Sequence, residues 1–431
     1  MLEYFKSSNF RSIVDATIDL RYAERRAPSG YKDQDRMPFI SEGHGRAVSI
    51  LALFGPNAAG KSNIIRALAA LRSILAQGNG DVRGQSDVNQ IVPCGEVSRL
   101  EIGFTQGECS YVYKLAFGQR GVYEESLSCN GKGVFSAGVD KVDVRRLVSK
   151  TYPTAKLLEI IRVECCSADE ERRMVVPLLR VLGRNYANLN EDVTRAYGYL
   201  ASKMLVLVRR TTLEMFPLAV QTLQQAGNCT QEEALKRIVS VVRRLDIDVQ
   251  SIRIAENPNG AGHGFAGSDF LAGNAQLNAP IGLIVQSGHK KLTGEDVFFR
   301  FMEQESEGTK RLASLVGYLL AALETGSIAV VDEFDTALHP MLVAEILSLF
   351  YNRSRNGKGA QLVFATHMTD ILDDNLLRVG EVGLVQKHRK LGTLVRRLLE
   401  LKEDGADIRN ATNFRKQYLD GEYSAIPHPA V

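Results

Sequence analysis

The chain has 431 residues, 45% hydrophobic and 24% charged, an ordinary globular balance that excludes extensive disorder and suggests two or three structural units. Lys plus Arg number 53 against 50 Asp plus Glu, and the net charge of +3 gives no bulk support to nucleic-acid binding. No apolar run approaches the ~18 residues of a membrane helix, and the charged opening MLEYFKSSNFRS does not read as a secretory signal. The six cysteines (Cys94, Cys109, Cys129, Cys165, Cys166, Cys229) form no CxxC pair and show no metal-like partnering with His. They read as reduced thiols of a cytoplasmic protein, with no structural zinc expected.

In chain order, Tyr4–Phe10 and Ile13–Leu20 alternate like strands, and the polar stretch Arg21–Arg46 reads as a loop. Ala47–Phe54 (AVSILALF) is a continuous apolar run of strand length ending in glycine, and Ile64–Leu75 follows with helical spacing. Beyond the Gly-containing stretch Ala76–Asn89, the segments Leu100–Phe104, Ser110–Ala116 and Val122–Cys129 predict an antiparallel meander. From Leu147 to Leu245 the pattern turns helical, with three-to-four spacing in Val175–Leu182, Glu191–Leu207 and Glu232–Leu245. Ser251–Ala255 and Ile281–Gln286 are strand candidates either side of a Gly-rich loop, Asn257–Asn274. Thr309–Leu323 (helix), Ser327–Val331 (strand), Pro340–Tyr351 (helix) and Gln361–Ala365 (strand) follow. Strands alternating with helices at both ends predict an α/β nucleotide-binding fold split by a central insertion.

Four motifs carry chemistry. GPNAAGKS at 55–62 fits GxxxxGK[ST], between a buried strand and a helix as its mechanism requires. Gly55 and Gly60 allow successive N–H groups to converge on phosphate oxygens, Lys61 adds a point charge, and the Ser62 hydroxyl is an Mg²⁺ ligand. In IAVVDEF (328–334) a buried strand ends at Asp332, placed to hold the water shell of Mg²⁺. Glu333, next along, is placed to deprotonate the attacking water. An apolar run before Asp-Glu is by itself a common strand end; downstream of a P-loop it takes the metal-site role. In FATH (364–367), His367 follows a strand and is positioned to contact the γ-phosphate. In ESEGTKRLASL (305–315), Ser306 and Gly308 open a helix whose free N–H groups suit phosphate, although an ordinary capped helix has the same sequence.

The order P-loop, capped helix, Asp-Glu strand and His strand resembles the ABC-type ATPase head. GPNAAGKSN, DEFDTALHP and ATH are typical of its SMC-like and OLD-like branch. The opening NFRSI (Asn9–Ile13) and closing YLDGEYSAIP (Tyr418–Pro427) look like a narrower group. That group comprises compact AAA-type ATPases of bacterial abortive-infection and anti-phage loci, relatives of the ATPase subunits of PARIS and Septu systems. The transporter signature appears altered, as Glu305-Ser306-Glu307-Gly308-Thr309, and the transporter D-loop as Thr336-Ala337-Leu338-His339. Gln90 is the weak candidate for a Q-loop glutamine.

The resemblance implies an α/β, ABC-type (SMC-like) P-loop ATPase head with an antiparallel β lobe and a central helical insertion. Its parts are expected at residues 1–146 (first half of the head, with P-loop and meander), 147–245 (helical insertion) and 246–431 (second half). It implies ATP and Mg²⁺ as cofactors, held by Gly55, Asn57, Gly60, Lys61, Ser62 and Asn63, with Asp332 at the metal and Lys61, Glu333 and His367 in catalysis. Ser306 and Gly308 are implied to act on ATP held by a second copy, in a homodimer or higher homo-oligomer. The function this suggests is a cytoplasmic, nucleotide-controlled switch of anti-phage defence that governs a separate effector, a toxin or nuclease. An SMC-like ATPase of DNA repair or DNA loading is the alternative, but residues 147–245 lack sustained heptads. An OLD-type nuclease is disfavoured because only 64 residues follow His367. The basic clusters Arg209-Arg210, Arg243-Arg244, Lys387–Lys390 and Arg396-Arg397 read as solvated faces and support nucleic acid only weakly.

Overall fold

The computed structural model describes residues 1–22, 39–43, 45–89, 95–139, 141–168, 173–208, 212–245, 248–256, 283–372, 376–388, 391–403, 414–421 and 423. Ile50–Phe54, Gln361–Ala365 and Ile328–Val331 are buried along their whole length and pair in parallel in that order. Near-continuous apolar runs suit this position, because a parallel sheet is covered by helices on both faces. Met204–Leu207 extends the block beyond Ile328–Val331, and Val382–His388 joins the other side of Ile50–Phe54.

From Val382–His388 outward the sheet is antiparallel. Gly392–Arg397, Ile13–Asp19, Leu2–Phe10, Ser98–Gln106, Cys109–Gly118, Gly121–Cys129, Lys132–Gly138 and Val142–Asp143 follow in sequence across it. Among the described residues this makes one mixed, mostly antiparallel sheet of thirteen strands. In Ile13–Asp19 the residues Ile13, Ala16 and Ile18 are buried while Asp15 and Thr17 are exposed, the alternation of a sheet wet on one face.

Two cores lie against the sheet. Leu51, Leu53, Val330 and Val363 pack with the Lys61–Ala76 helix, whereas Ile50, Ala52, Phe54, Val331, Leu362 and Phe364 pack with Glu307–Thr325, Pro340–Tyr351 and Thr212–Gly227. A separate antiparallel sheet joins Ser251–Glu256, Leu283–Lys290 and Asp296–Arg300. The α/β class with an antiparallel lobe is therefore the observed architecture. No helix among the described residues is long and apolar enough to cross a membrane.

Several local expectations are corrected. Ile40–Glu42 and Gly45–Ala47 form a hairpin inside the stretch read as a loop, so the P-loop strand begins at Ile50. The helical reading of Glu191–Leu207 ends at Ser202, because the apolar run Met204–Leu207 completes the parallel edge of the sheet. Segment 147–245 thus supplies a sheet strand as well as the helices Thr154–Ile160, Leu178–Asn185, Glu191–Ser202, Thr212–Gly227 and Gln231–Arg244. Pro217 interrupts the pattern of Thr212–Gly227 and hides that helix in the sequence. The pair Arg396-Arg397 is no simple solvated face: Arg397 is buried and donates to the Arg21 carbonyl oxygen at 2.8 Å. Gln90, Arg209, Arg210 and the Gly-rich loop Asn257–Asn274 lie outside the described residues.

Candidate functional site

The chain leaves its buried strand at Phe54 and turns through Gly55, where a Cβ would lie 2.2 Å from the Val385 carbonyl oxygen. At Gly60 φ is 108°, and a Cβ would strike Thr393 Oγ1 at 2.0 Å. Both positions therefore require glycine, for space at the first and for conformation as well at the second. Lys61 opens the Lys61–Ala76 helix, and its Nζ donates to the carbonyl oxygens of Gly55 (2.7 Å) and Pro56 (3.1 Å). Burial pulls the Lys61 ammonium down to about 8, with Asp332 and Asp335 opposing the shift. Thr393 Oγ1 donates to the Ala59 carbonyl oxygen (3.1 Å) and bonds Ser12 Oγ (2.7 Å), which accepts from Asn63 Nδ2 at 2.6 Å. The loop is thereby held from behind by the turn that follows Leu2–Phe10 and by the Gly392–Arg397 strand.

Opposite the loop, Ser62 Oγ donates to Asp332 Oδ1 at 3.1 Å. Asp332 is buried, and that burial raises its carboxyl while the Ser62 hydrogen bond works the other way. Glu333 has left-handed backbone, with φ of 48°, and its carbonyl oxygen accepts from Arg311 Nη2 at 2.5 Å. The following Phe334 anchors this turn, its ring 4.5 Å from that of Phe364 and its N–H on the Ala365 carbonyl oxygen. His367 Nδ1 lies 3.4 Å from Lys61 Nζ, and the His367 N–H donates to Asp335 Oδ2 at 3.3 Å. Burial first, then Lys61, holds the imidazole below its usual range.

These groups line one cavity of about 310 Å³, bounded by Ser12, residues 58–63, Asp332, Glu333, Ala365, His367 and Lys387. Gly60, Lys61, Ser62, Asn63, Asp332, Glu333 and His367 are brought together around it. Gly55 shapes the loop and Asn57 is exposed, and neither lines the cavity. Ser306 and Gly308 are also outside it. Ser306 caps the Glu307–Thr325 helix by accepting from the Thr309 N–H, and a Cβ on Gly308 would sit 3.0 Å from the Ala337 carbonyl oxygen.

The donor set fits Mg²⁺–nucleotide. Lys61 is a buried cation with which no carboxylate among the described residues pairs, so an anion belongs beside it. Ser62 and Asp332 offer hard oxygen ligands in contact with each other, as Mg²⁺ prefers. Sequence reasoning missed Ser12, Lys387, Thr393, Asp335 and Arg311. Ser12 and Asp335 sit inside quoted motifs (NFRSI and DEFDTALHP), whereas Lys387 and Thr393 lie on strands the pattern did not reveal.

A mixed sheet with a P-loop, an acidic strand end and a following His around one cavity defines an α/β fold of the P-loop nucleotide-binding class. The sequence profile of the family described as "AAA domain, putative AbiEii toxin, Type IV TA system" matches residues 50–156 and 249–373, more than half of the chain. The chain belongs to that family. Among solved structures, an SMC head bound to the C-winged helix domain of ScpA is 12% identical with a TM-score of 0.47, covering 93% of this chain and 99% of that one. The SMC head domain from Thermotoga maritima is 14% identical with a TM-score of 0.41, over 92% and 98%. A Pyrococcus furiosus SMC head with an extended coiled coil, bound to the C-terminal domain of ScpA, is 13% identical with a TM-score of 0.42, over 95% and 99%. No curated protein matches the sequence.

Proposed function

We propose that the chain binds and hydrolyses Mg²⁺–ATP as a dimeric, nucleotide-controlled switch, the regulatory ATPase of an anti-phage system with a separate effector. The observation that carries the hydrolytic reading is the convergence of Lys61, the Ser62–Asp332 pair, Glu333 and His367 on one cavity. Lys61 and the free N–H groups of the first helical turn bind the phosphates. Ser62 and Asp332 hold Mg²⁺, which when bound neutralises charge on the β- and γ-phosphates. Glu333 accepts the proton of the attacking water, with its backbone fixed by Arg311, and His367 contacts the terminal phosphate. Ser306 and Gly308 do not line the cavity of their own chain and serve that of a second copy. Residues 147–245 act as an insertion in the head and carry the effector contact. The defence role is supported by the words "putative AbiEii toxin, Type IV TA system" in the family description and by the NFRSI and YLDGEYSAIP motifs.

Calorimetry and phosphate release test the core of this reading. Lys61→Ala is expected to lose ATP binding with the fold intact. Glu333→Gln is expected to bind ATP and hydrolyse it about 10²–10⁴-fold more slowly. Unchanged ATP affinity in Lys61→Ala would remove the assignment.

A further inference from the structure

Outside the nucleotide cavity, Cys109, Cys129 and Asp192 each place a ligand atom within 4.8 Å of the other two, and all three are half-buried. They are distant in sequence, and strand pairing explains why they meet. Cys109 and Tyr111 share one face of Cys109–Gly118 by the two-residue period, and Tyr111 is directly opposite Cys129 on Gly121–Cys129. Both thiols and the phenol therefore emerge on the same side of the sheet. The Glu191–Ser202 helix starts above that face and brings Asp192 in its first turn. Stacking of Tyr111 on Phe104 and of Phe104 on Tyr199, at centroid distances of 5.4 and 4.4 Å, fastens helix to sheet there.

We propose that Cys109, Cys129 and Asp192 bind a thiophilic divalent cation, Zn²⁺ by the donor set, with a fourth position open to water. Two thiolates and a carboxylate are ligands that zinc accepts in tetrahedral sites. Each thiol gives its proton to solvent as its sulfur–metal bond forms, and nothing is oxidised or reduced. With bonds of about 2.3 Å, tetrahedral geometry sets the two sulfurs about 3.8 Å apart, within the spacing observed. A disulfide suits the pair less well: Cys109 is diagonal to Cys129, and such neighbours sit ~7–8 Å apart at Cα, past the usual disulfide range.

The surroundings match a metal centre. Tyr111 Oη donates to Asp192 Oδ1 at 2.9 Å, orienting the carboxylate as supporting groups around metal ligands do. Arg195, a turn further along the helix and ion-paired with Glu191, holds Nη1 3.7 Å from Cys109 Sγ and places positive charge beside the thiols. The bound cation pins the Glu191–Ser202 helix to the meander.

The test uses the full chain, reduced and stripped with chelator, titrated with Co²⁺ without oxygen and with excess Mg²⁺ present. One equivalent is expected to produce thiolate-to-cobalt absorption that Zn²⁺ displaces. Cys109→Ser and Cys129→Ser should lose the band, and Asp192→Asn and Tyr111→Phe should weaken binding about 10–100-fold. Cys166→Ser should leave it unchanged. Retained ATP binding shows that the variants are folded, and Zn²⁺ should raise the melting temperature of the unmodified chain but not of Cys109→Ser. Absence of the band in the unmodified chain, or an unchanged band in the Cys109→Ser/Cys129→Ser double variant, overturns the site.

Discussion

Gly60 shows how little room the phosphate loop leaves. Its φ of 108° suits glycine, and Thr393 Oγ1 stands 2.0 Å from where a Cβ would be. Gly60→Ala therefore combines backbone strain, of order 1–3 kcal/mol, with a collision against the hydroxyl that ties the loop to Ser12 and Ala59. ATP affinity should fall at least tenfold by calorimetry. Adding Thr393→Ala removes the collision but not the strain, so only part of the loss should return; normal binding by Gly60→Ala alone would show that the loop relaxes freely. The sequence displayed this glycine but not its reason. GPNAAGKS is legible because eight consecutive residues carry its chemistry. Lys387 reaches the cavity, and Thr393 the loop behind it, through nonlocal pairing of strands in a stretch that reads as basic surface. Arg311 was equally hidden, since its bond to the Glu333 carbonyl joins the Glu307–Thr325 helix to the acidic turn.

At the scale of elements, the Leu178–Asn185 helix begins on a buried carboxylate. Glu125 accepts from the N–H groups of Leu178 (2.6 Å) and Leu179 (2.9 Å) and from the Tyr113 hydroxyl (2.9 Å). Burial pushes Glu125 from its ordinary 4.5 up to about 7, the three donors pulling the other way. Between those values the folded chain holds a proton that the unfolded chain releases, so stability falls as pH rises through the window and levels off above it. The whole shift corresponds to about 3 kcal/mol. Urea unfolding at several pH values should show this slope reduced in Glu125→Gln, which cannot ionise; equal slopes in both proteins would remove Glu125 as its source. A second element contact is equally tight. A Cβ on Gly317 of the Glu307–Thr325 helix would lie 2.9 Å from Ala219 Cβ on Thr212–Gly227. Gly317→Val should destabilise by about 1–3 kcal/mol through overpacking, seen as a lower urea midpoint with an unchanged slope. The Pro340–Tyr351 helix and Gln361–Ala365 strand were legible to their ends because apolar period and caps agree. Met204–Leu207 was not, since four apolar residues after a helix fit either pattern until their partner strand is known.

For the whole molecule, the placement of the Glu307–Thr325 helix makes assembly the central question. Ser306 caps its own helix at an exposed position, and Gly308 lies against Ala337, so neither reaches the cavity around Lys61 within one chain. If a second copy completes the site, Ser306→Arg should bind ATP but fail to hydrolyse it. Mixing it with Lys61→Ala should restore activity, because one of the two mixed sites then pairs an intact P-loop with an intact signature. No recovery at any ratio, with subunit exchange confirmed, would count against a shared site. The same logic separates a switch from a motor. Glu333→Gln keeps size and hydrogen bonding but removes basicity, so bound ATP should persist and hold the assembly closed, whereas Lys61→Ala should leave it open. His367→Ala should lower turnover through lost contact with the terminal phosphate, and its closed state should be weaker than that of Glu333→Gln. A regulatory ATPase should therefore retain its effector in one of the variants Glu333→Gln and Lys61→Ala and release it in the other, read by co-purification and by survival of phage-challenged cells. Equal effector binding and equal survival in both would mean that nucleotide state does not govern the partner. The control reading would then fall while the ATPase assignment stood, because that assignment rests on the cavity and not on what the cavity controls.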